Sequence, residues 1–228
     1  MKRSKRYQTI KEKLNKSGGT VFNIEEAIDK IKEGKGAKFD ESIEVHIGLN
    51  INEKGGTQVV RGTVSLPKAL GRKRTIAAFV TGENKEKAKK AGAKVVGGED
   101  LILKIKETKK INFDLALAES AMMRHLGQIG KILGQKGLMP NPKDETVAPD
   151  IIAAIREFSA GKICFKSDDQ GIIHGVIGKV SFKVQDLIKN YNTLLTAIKK
   201  QTPENQKGEF IKSISICRTM GPSVLVKI

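Results

Sequence analysis

The chain has no tryptophan and only two tyrosines and eight phenylalanines in 228 residues. Proteins that hold single-stranded nucleic acid stack bases on exposed rings, and once a core is built this chain has few rings left for such a platform. Cysteine is scarce as well: Cys164 and Cys217 lie far apart in sequence. They could pair only if the fold brought them together, and a reduced protein is expected. The three histidines, His46, His125 and His174, fall on three separate predicted elements, and no HExxH or CxxC pattern occurs. Neither a catalytic site nor a metal or cofactor is expected from such spacing. No apolar run approaches the roughly 18 residues a membrane helix requires. The basic N-terminus, MKRSKRYQTIKEKLNK, is followed by no continuous apolar segment, so no secretory signal is expected and the cytoplasm is the default location.

Acidic groups are the last shortage. Forty-two Lys and Arg stand against 25 Asp and Glu, a formal charge of +17. The excess is spread along the chain: +4 over residues 1–66, +7 over 67–159 and +6 over 160–228. No single tail carries it, so folded surfaces must be basic, which suits a polyanionic partner, either nucleic acid or an anionic membrane. A membrane-surface helix needs bulky apolar residues opposite its basic face. Residues 1–16 offer only Tyr7, Ile10 and Leu14, which core contacts account for, so no membrane partner is expected. With few aromatics, RNA recognition through shape, phosphates and 2′-hydroxyls is the expectation.

Residues 23–34, NIEEAIDKIKEG, predict a helix with Asn23 and Glu26 as a capping box and Gly34 as C-cap. ESIEVHIGLN (41–50) changes period: Ile43, Val45, Ile47 and Leu49 alternate with Ser42, Glu44, His46 and Gly48, a half-buried strand. QVVRGTVSL (58–66) reads as a second strand, with NEKGGT as the turn between the two. From residue 75 short apolar strands alternate with helices as far as APDIIAAIREFSAG (148–161), which implies a parallel sheet covered by helices. KICFKS and GIIHGVIG then flank the turn DDQG (168–171) as a predicted hairpin. The stripe Val184, Leu187, Ile188, Tyr191, Leu194, Leu195 and Ile198 predicts a long amphipathic helix. FIKSISIC (210–217) and SVLVKI (223–228) read as closing strands, and Cys164 and Cys217 are expected to be strand residues that pack inward.

The predicted fold class is α/β: an α+β terminal domain with an inserted Rossmann-like α/β domain. Residues 1–66 and 160–228 form the first, discontinuous domain, and residues 67–159 form the second. The two crossings, SLPK (65–68) and FSAGK (158–162), predict a hinge.

GKILGQKGLMPNPK (130–143) gathers glycines and lysines in one turn-rich stretch. A nucleotide P-loop needs Gly-Lys followed by Ser or Thr at fixed spacing, and that spacing is absent, as is the dinucleotide fingerprint GxGxxG. A KH-type GxxG clamp opens a helix, but Pro140 and Pro142 follow too closely. The segment reads instead as a basic loop of the inserted domain. A nucleotide-dependent enzyme remains the rival reading, supported only by the alternating strands and helices and by this stretch.

Five blocks occur in order: KFDESIEVHIGLNI, VRGTVSLPK, ILGQKGLMPNPK, IIHGVIGKVSF and TMGPSV. Together they resemble the universal ribosomal L-one family of the large-subunit stalk, in its bacterial form, over essentially the whole chain. The resemblance implies a non-enzymatic protein of the cytoplasmic ribosome, monomeric when free, without a cofactor. Its implied partners are the stalk region of large-subunit rRNA, the remainder of the large ribosomal subunit, exit-site tRNA whose release it assists, and its own operon mRNA, whose translation it represses.

The family's RNA-recognition residues carry over to Lys38, Phe39, Ser42, Glu44, Ser213, Thr219, Met220 and Gly221, with Lys166 as a weaker match. Lys38 and Lys166 would meet phosphates. Ser42, Ser213 and Thr219 would pair with 2′-hydroxyls. Gly221 would let backbones approach. Glu44 reads by its own pattern as a solvated strand glutamate, and through the resemblance as an acceptor for RNA donors. Phe39 and Met220 fit either core packing or RNA contact. The chain departs from the family at Gln135, where proline is common, and at Cys217-Arg218, where small polar residues precede the TMG turn; Arg218 is expected to add a phosphate contact.

Overall fold

The structure, a computed structural model, describes residues 4–16, 21–34, 36–50, 59–71, 74–203 and 208–228. The chain divides into two units, residues 1–71 with 164–228, and residues 72–163. Among the described residues no helix is long and apolar enough to cross a membrane.

The discontinuous unit is built on a five-stranded sheet. Its strands are β1 (Val21–Phe22), β2 (Ser42–Leu49), β8 (Ile172–Lys179), β9 (Ile211–Arg218) and β10 (Val224–Val226), in the order β1-β10-β9-β2-β8. Only β1 runs parallel to its neighbour; the other pairings are antiparallel. The strict alternation of β2 puts Ile43, Val45, Ile47 and Leu49 in the core. Helices α2 (Ile24–Glu33) and α8 (Val184–Lys199) lie against the sheet. They contribute Ala27, Ile28 and Ile31, and Leu187, Tyr191, Leu194 and Ile198, all buried. Helix α1 (Lys5–Lys16) places Ile10 against Gly34.

Three local expectations change. Asn23 does sit at the N-cap of α2, but its side chain makes no capping bond, and Gly34 ends the helix extended, at φ −73°, rather than left-handed. Strand β3 (Arg61–Ser65) does not pair with β2; it forms a separate two-stranded sheet with β7 (Lys162–Lys166). The turn NEKGGT expected between β2 and β3 lies outside the described residues. The 168–171 turn does form, with the Asp168 side chain accepting from Gln170 N (3.0 Å) and Ile172 N (2.7 Å). The hairpin around it reduces to one bridge, Ser167 to Ile173, because Ser167 turns to bond Val60 in both directions.

The second unit carries a three-stranded parallel sheet, β4 (Ile76–Phe79), β5 (Val95–Gly97) and β6 (Leu115–Ala118), in the order β5-β4-β6. Central β4 is buried on both faces, as expected of a strand covered twice. Ala77 and Phe79 join one core with Ile102 and Ile105 of α4 (Glu99–Thr108), Leu126 of α5 (Met123–Leu126) and Leu133 of α6 (Gly130–Gln135). Ile76 and Ala78 join the other with Ala88 of α3 (Lys85–Ala91) and Ile151, Ala154, Ile155 and Phe158 of α7 (Ile151–Ala160). Asp150 caps α7 by accepting from Ile152 N (3.0 Å) and Ala153 N (3.1 Å), a contribution of about 1 kcal/mol. This is the α/β fold class read from the sequence.

The 130–143 segment is not wholly a loop. Leu126, Ile129 and Leu133 fall on one stripe and are fully buried, so residues 130–135 are drawn into a short helix. Gly137 ends it with φ +66°, a conformation that favours glycine. Lys131, Lys136 and Lys143 are left exposed.

Candidate nucleic-acid interface

One face of the five-stranded sheet is covered by α2 and α8; the other carries Ser42, Glu44, His46 and Gly48 of β2, all half-buried. Register aligns β9 beside them: Cys217 opposite Glu44, Ser215 opposite His46 and Ser213 opposite Gly48. On the other side β8 places Val176 opposite Glu44 and His174 opposite His46. Gly48 gives Ser213 room, since a Cβ there would lie 2.8 Å from its Oγ. Leu225 of β10, opposite Ser215, and Val21, opposite Leu225, extend the face as exposed apolar residues.

The predicted site residues gather at one end of this sheet. Thr219 and Ser42 are tied three times: Thr219 Oγ1 accepts from Ser42 N (3.1 Å) and donates to Ser42 O (3.3 Å), and Thr219 N donates to Ser42 O (3.1 Å). Lys38 and Phe39 stand on the loop 36–41 leading into β2, and both are exposed. Phe39 is 56% and Met220 53% exposed, so neither is a core residue. Ser213 lies further along the same face. Lys166 does not join them; it is exposed on β7, in the two-stranded sheet.

Two residues whose structural role motif reading missed hold this end together. Glu41 is buried, 3% exposed, and its carboxylate accepts from Ala37 N (2.6 Å) and Met220 N (3.0 Å). It thereby fastens the Lys38–Phe39 loop to the 219–221 turn. Asp40 anchors the same loop from outside, accepting from Ser181 Oγ (2.8 Å). Arg218 is the second, and it corrects an expectation. It is 3% exposed, and its Nη1 donates to Gly34 O (2.9 Å) at the end of α2. There the guanidinium complements the negative end of the helix dipole and is not offered to phosphate. Register explains this, because Arg218 lies opposite Ile43 on the core side of the sheet. A Cβ at Gly221 would lie 3.2 Å from Arg218 Cβ, so the glycine also eases the turn's approach to this side chain. The one signal in the sequence for Arg218 was its place in an alternating strand, two residues from Ile216.

The middle of the face is a chain of polar contacts. His174 Nε2 lies 3.4 Å from Asp168 Oδ2, His174 Nδ1 lies 2.8 Å from His46 Nδ1, and His46 Nε2 lies 3.3 Å from Cys217 Sγ. Burial lowers the His46 pKa below its ordinary value and His174 lowers it further, while Glu44 works the other way. Burial and the Glu44 carboxylate both push the Cys217 thiol up. Both groups are therefore neutral at pH 7. Neither cysteine is in a disulfide. Cys164 is exposed rather than packed inward, and Cys217 is half-buried.

In open α/β sheets, ligands bind beyond the carboxyl ends of the strands where strand order reverses. In the second unit that position falls between β4 and β6, and Glu119 occupies it. Its carboxylate accepts from Thr81 N (2.9 Å), Thr81 Oγ1 (2.9 Å) and Asn84 Nδ2 (2.6 Å). A buried carboxylate already satisfied by the local donors repels a phosphate, which speaks against the nucleotide-enzyme reading.

A family model described as the ribosomal protein L1p/L10e family matches residues 28–222. The chain is 41% identical over 225 residues to the large ribosomal subunit protein uL1 of Solibacter usitatus, covering 99% of this chain and 94% of that one. It is 44% identical over 225 residues to the protein of the same name from Colwellia psychrerythraea, covering 99% and 96%. For the Thiobacillus denitrificans protein of that name the identity is 42% over 223 residues, covering 98% and 95%. With likeness of this degree running from end to end, the chain belongs to the ribosomal protein L1p/L10e family.

Proposed function

We propose that the chain grips the stalk region of large-subunit rRNA with the end of the five-stranded sheet where loop 36–41 meets the 219–221 turn. Membership of the family makes it a non-enzymatic, structural protein of the large ribosomal subunit, acting at the ribosome in the cytoplasm. The observation that carries the finer reading is the pair Phe39 and Met220. Each is more than half exposed, yet each stands on a segment pinned by the buried Glu41. Large apolar side chains held out in water on a rigid frame lower the ordering cost of binding. Around them Ser42 and Thr219, and further along the same face Ser213, offer hydroxyls suited to 2′-OH groups. Lys38 supplies phosphate contact and Lys166 supplies it from the neighbouring sheet. Glu44 adds no affinity for phosphate; it accepts from a 2′-hydroxyl or base amino group and so selects shape.

The same surface is proposed to bind a similar fold in the operon mRNA and so repress translation. On the ribosome, the exposed lysines of 130–143 are proposed to face exit-site tRNA and assist its release. Thr219→Ala combined with Met220→Ala tests the grip. Affinity for a stalk RNA fragment should fall at least about tenfold, or roughly 1.4 kcal/mol, while weak binding to unrelated structured RNA is unchanged. Both affinities should fall as salt rises. A folded double variant that binds the stalk fragment as tightly as wild type refutes the assignment.

A further inference from the structure

We propose that Glu44, His46 and Cys217 form a binding site for a zinc-class divalent cation on the open face of the sheet. Glu44 and His46 are two residues apart on β2 and share a face. Cys217 is directly opposite Glu44 on β9 and so diagonal to His46. Cross-strand and diagonal neighbours on one face are the closest side chains a sheet provides. One ligand atom from each of the three lies within 4.8 Å of the other two. His46 Nε2 and Cys217 Sγ stand 3.3 Å apart. Two ligands of a tetrahedral zinc ion, at about 2.3 Å for sulfur and about 2.05 Å for nitrogen, stand about 3.5 Å apart. The pair needs to open by only a few tenths of an ångström to admit the ion.

The surrounding hydrogen bonds point the ligands correctly. Asp168 can only accept, so His174 gives it the Nε2 proton across 3.4 Å. His174 Nδ1 is then an acceptor, and His46 donates its Nδ1 proton across 2.8 Å. That leaves the lone pair of His46 Nε2 aimed at Cys217. A carboxylate that fixes the tautomer of a ligating histidine is the usual outer shell of a zinc site, here relayed through a second ring. The donor set of thiolate, imidazole and carboxylate suits zinc, whereas magnesium and calcium favour oxygen alone. Binding replaces the thiol proton, which passes to the buffer. Three protein ligands leave a fourth position for water. The site shares Glu44 with the proposed RNA grip but does not depend on it.

The test uses the full chain without RNA. Titration with Co²⁺ should give a saturable thiolate-to-cobalt charge-transfer band at one equivalent, removed by one equivalent of Zn²⁺. Cys217→Ser should abolish the band, while Cys164→Ser, on β7, should keep it. His46→Gln should weaken Zn²⁺ binding at least a hundredfold, and His174→Gln, one shell out, about tenfold to a hundredfold. Unchanged melting profiles check that the variants fold. Absence of the band in wild type, or its persistence in Cys217→Ser, overturns the proposal.

Discussion

Glu41→Gln isolates the frame of the proposed RNA grip from its contacts. Glutamine keeps the side chain's length and one acceptor oxygen but places an NH₂ where the second carboxylate oxygen stood. Of the two backbone donors that converge on Glu41, Ala37 N at 2.6 Å and Met220 N at 3.0 Å, one must then face a donor. Glu41 is 3% exposed, so water cannot readily replace the lost acceptor. A hydrogen bond to a charged group contributes about 1.5–3 kcal/mol. Loss of one lowers the stability of the discontinuous unit by about 2 kcal/mol, or about 6–8 °C in its melting midpoint for a unit of this size. Hydrogen exchange should show faster exchange at Ala37 or Met220, while the 72–163 unit is unaffected. Stalk RNA affinity should fall about threefold to tenfold, because loop 36–41 and the 219–221 turn must be ordered again on binding. Unchanged amide protection at both positions, with an unchanged midpoint, would refute the argument that Glu41 fastens the two segments.

The amide of Asn190 is fully buried and makes three bonds: Oδ1 accepts from Lys68 N (3.0 Å), and Nδ2 donates to Lys68 O (2.9 Å) and Ile177 O (2.8 Å). Asn190→Leu should destabilise the discontinuous unit by about 2–4 kcal/mol, seen in urea unfolding, and a variant of wild-type stability would show that these bonds contribute nothing net. Burial alone would raise the Glu119 carboxyl, but hydrogen bonds from Thr81 and Asn84 outweigh it and hold the pKa below its ordinary value. Its stabilisation of the 72–163 unit is therefore complete above the ordinary glutamate range and is lost as pH falls through the lowered value; Glu119→Gln should flatten this acid limb of the unfolding profile, and an unaltered limb would contradict it.

Much of the fold was legible because period is a local property. The alternation of β2 and the 3.6-residue stripe of α8 each follow from one stretch of chain, and the structure has both. Partnerships were less legible. The pattern of β3 announces a strand but not that its neighbour is β7, which follows it in sequence by about a hundred residues. Asn190 shows a second limit. A polar residue on the apolar side of a helix looks like the edge of the stripe until Lys68 and Ile177 are seen to take both of its amide protons and pair its oxygen. For the site, motif left Phe39 and Met220 open between core and surface, and only the structure shows both side chains exposed. Arg218 could not be placed from motif either, because a cation beside the turn proposed to face RNA reads as a phosphate ligand, and only register shows that it points inward.

The histidine–cysteine cluster follows the same logic at greater range. Motif reading seeks ligands a few residues apart on one helix or loop. His46 is separated by 128 residues from His174 and by 171 from Cys217, and the sheet brings both to it because β2 lies between β8 and β9. Both neighbours of β2 follow the inserted unit in sequence. The tie between Ser42 and Thr219 spans 177 residues for the same reason. During synthesis the 72–163 unit has its own two cores and all its strands before residue 164 exists, whereas β2 meets its first partner only with β8. The proposed grip on RNA therefore forms last, and only in a chain whose final strands have docked. A nascent or truncated chain carries Lys38 and Phe39 without the strands and turn that complete the proposed grip.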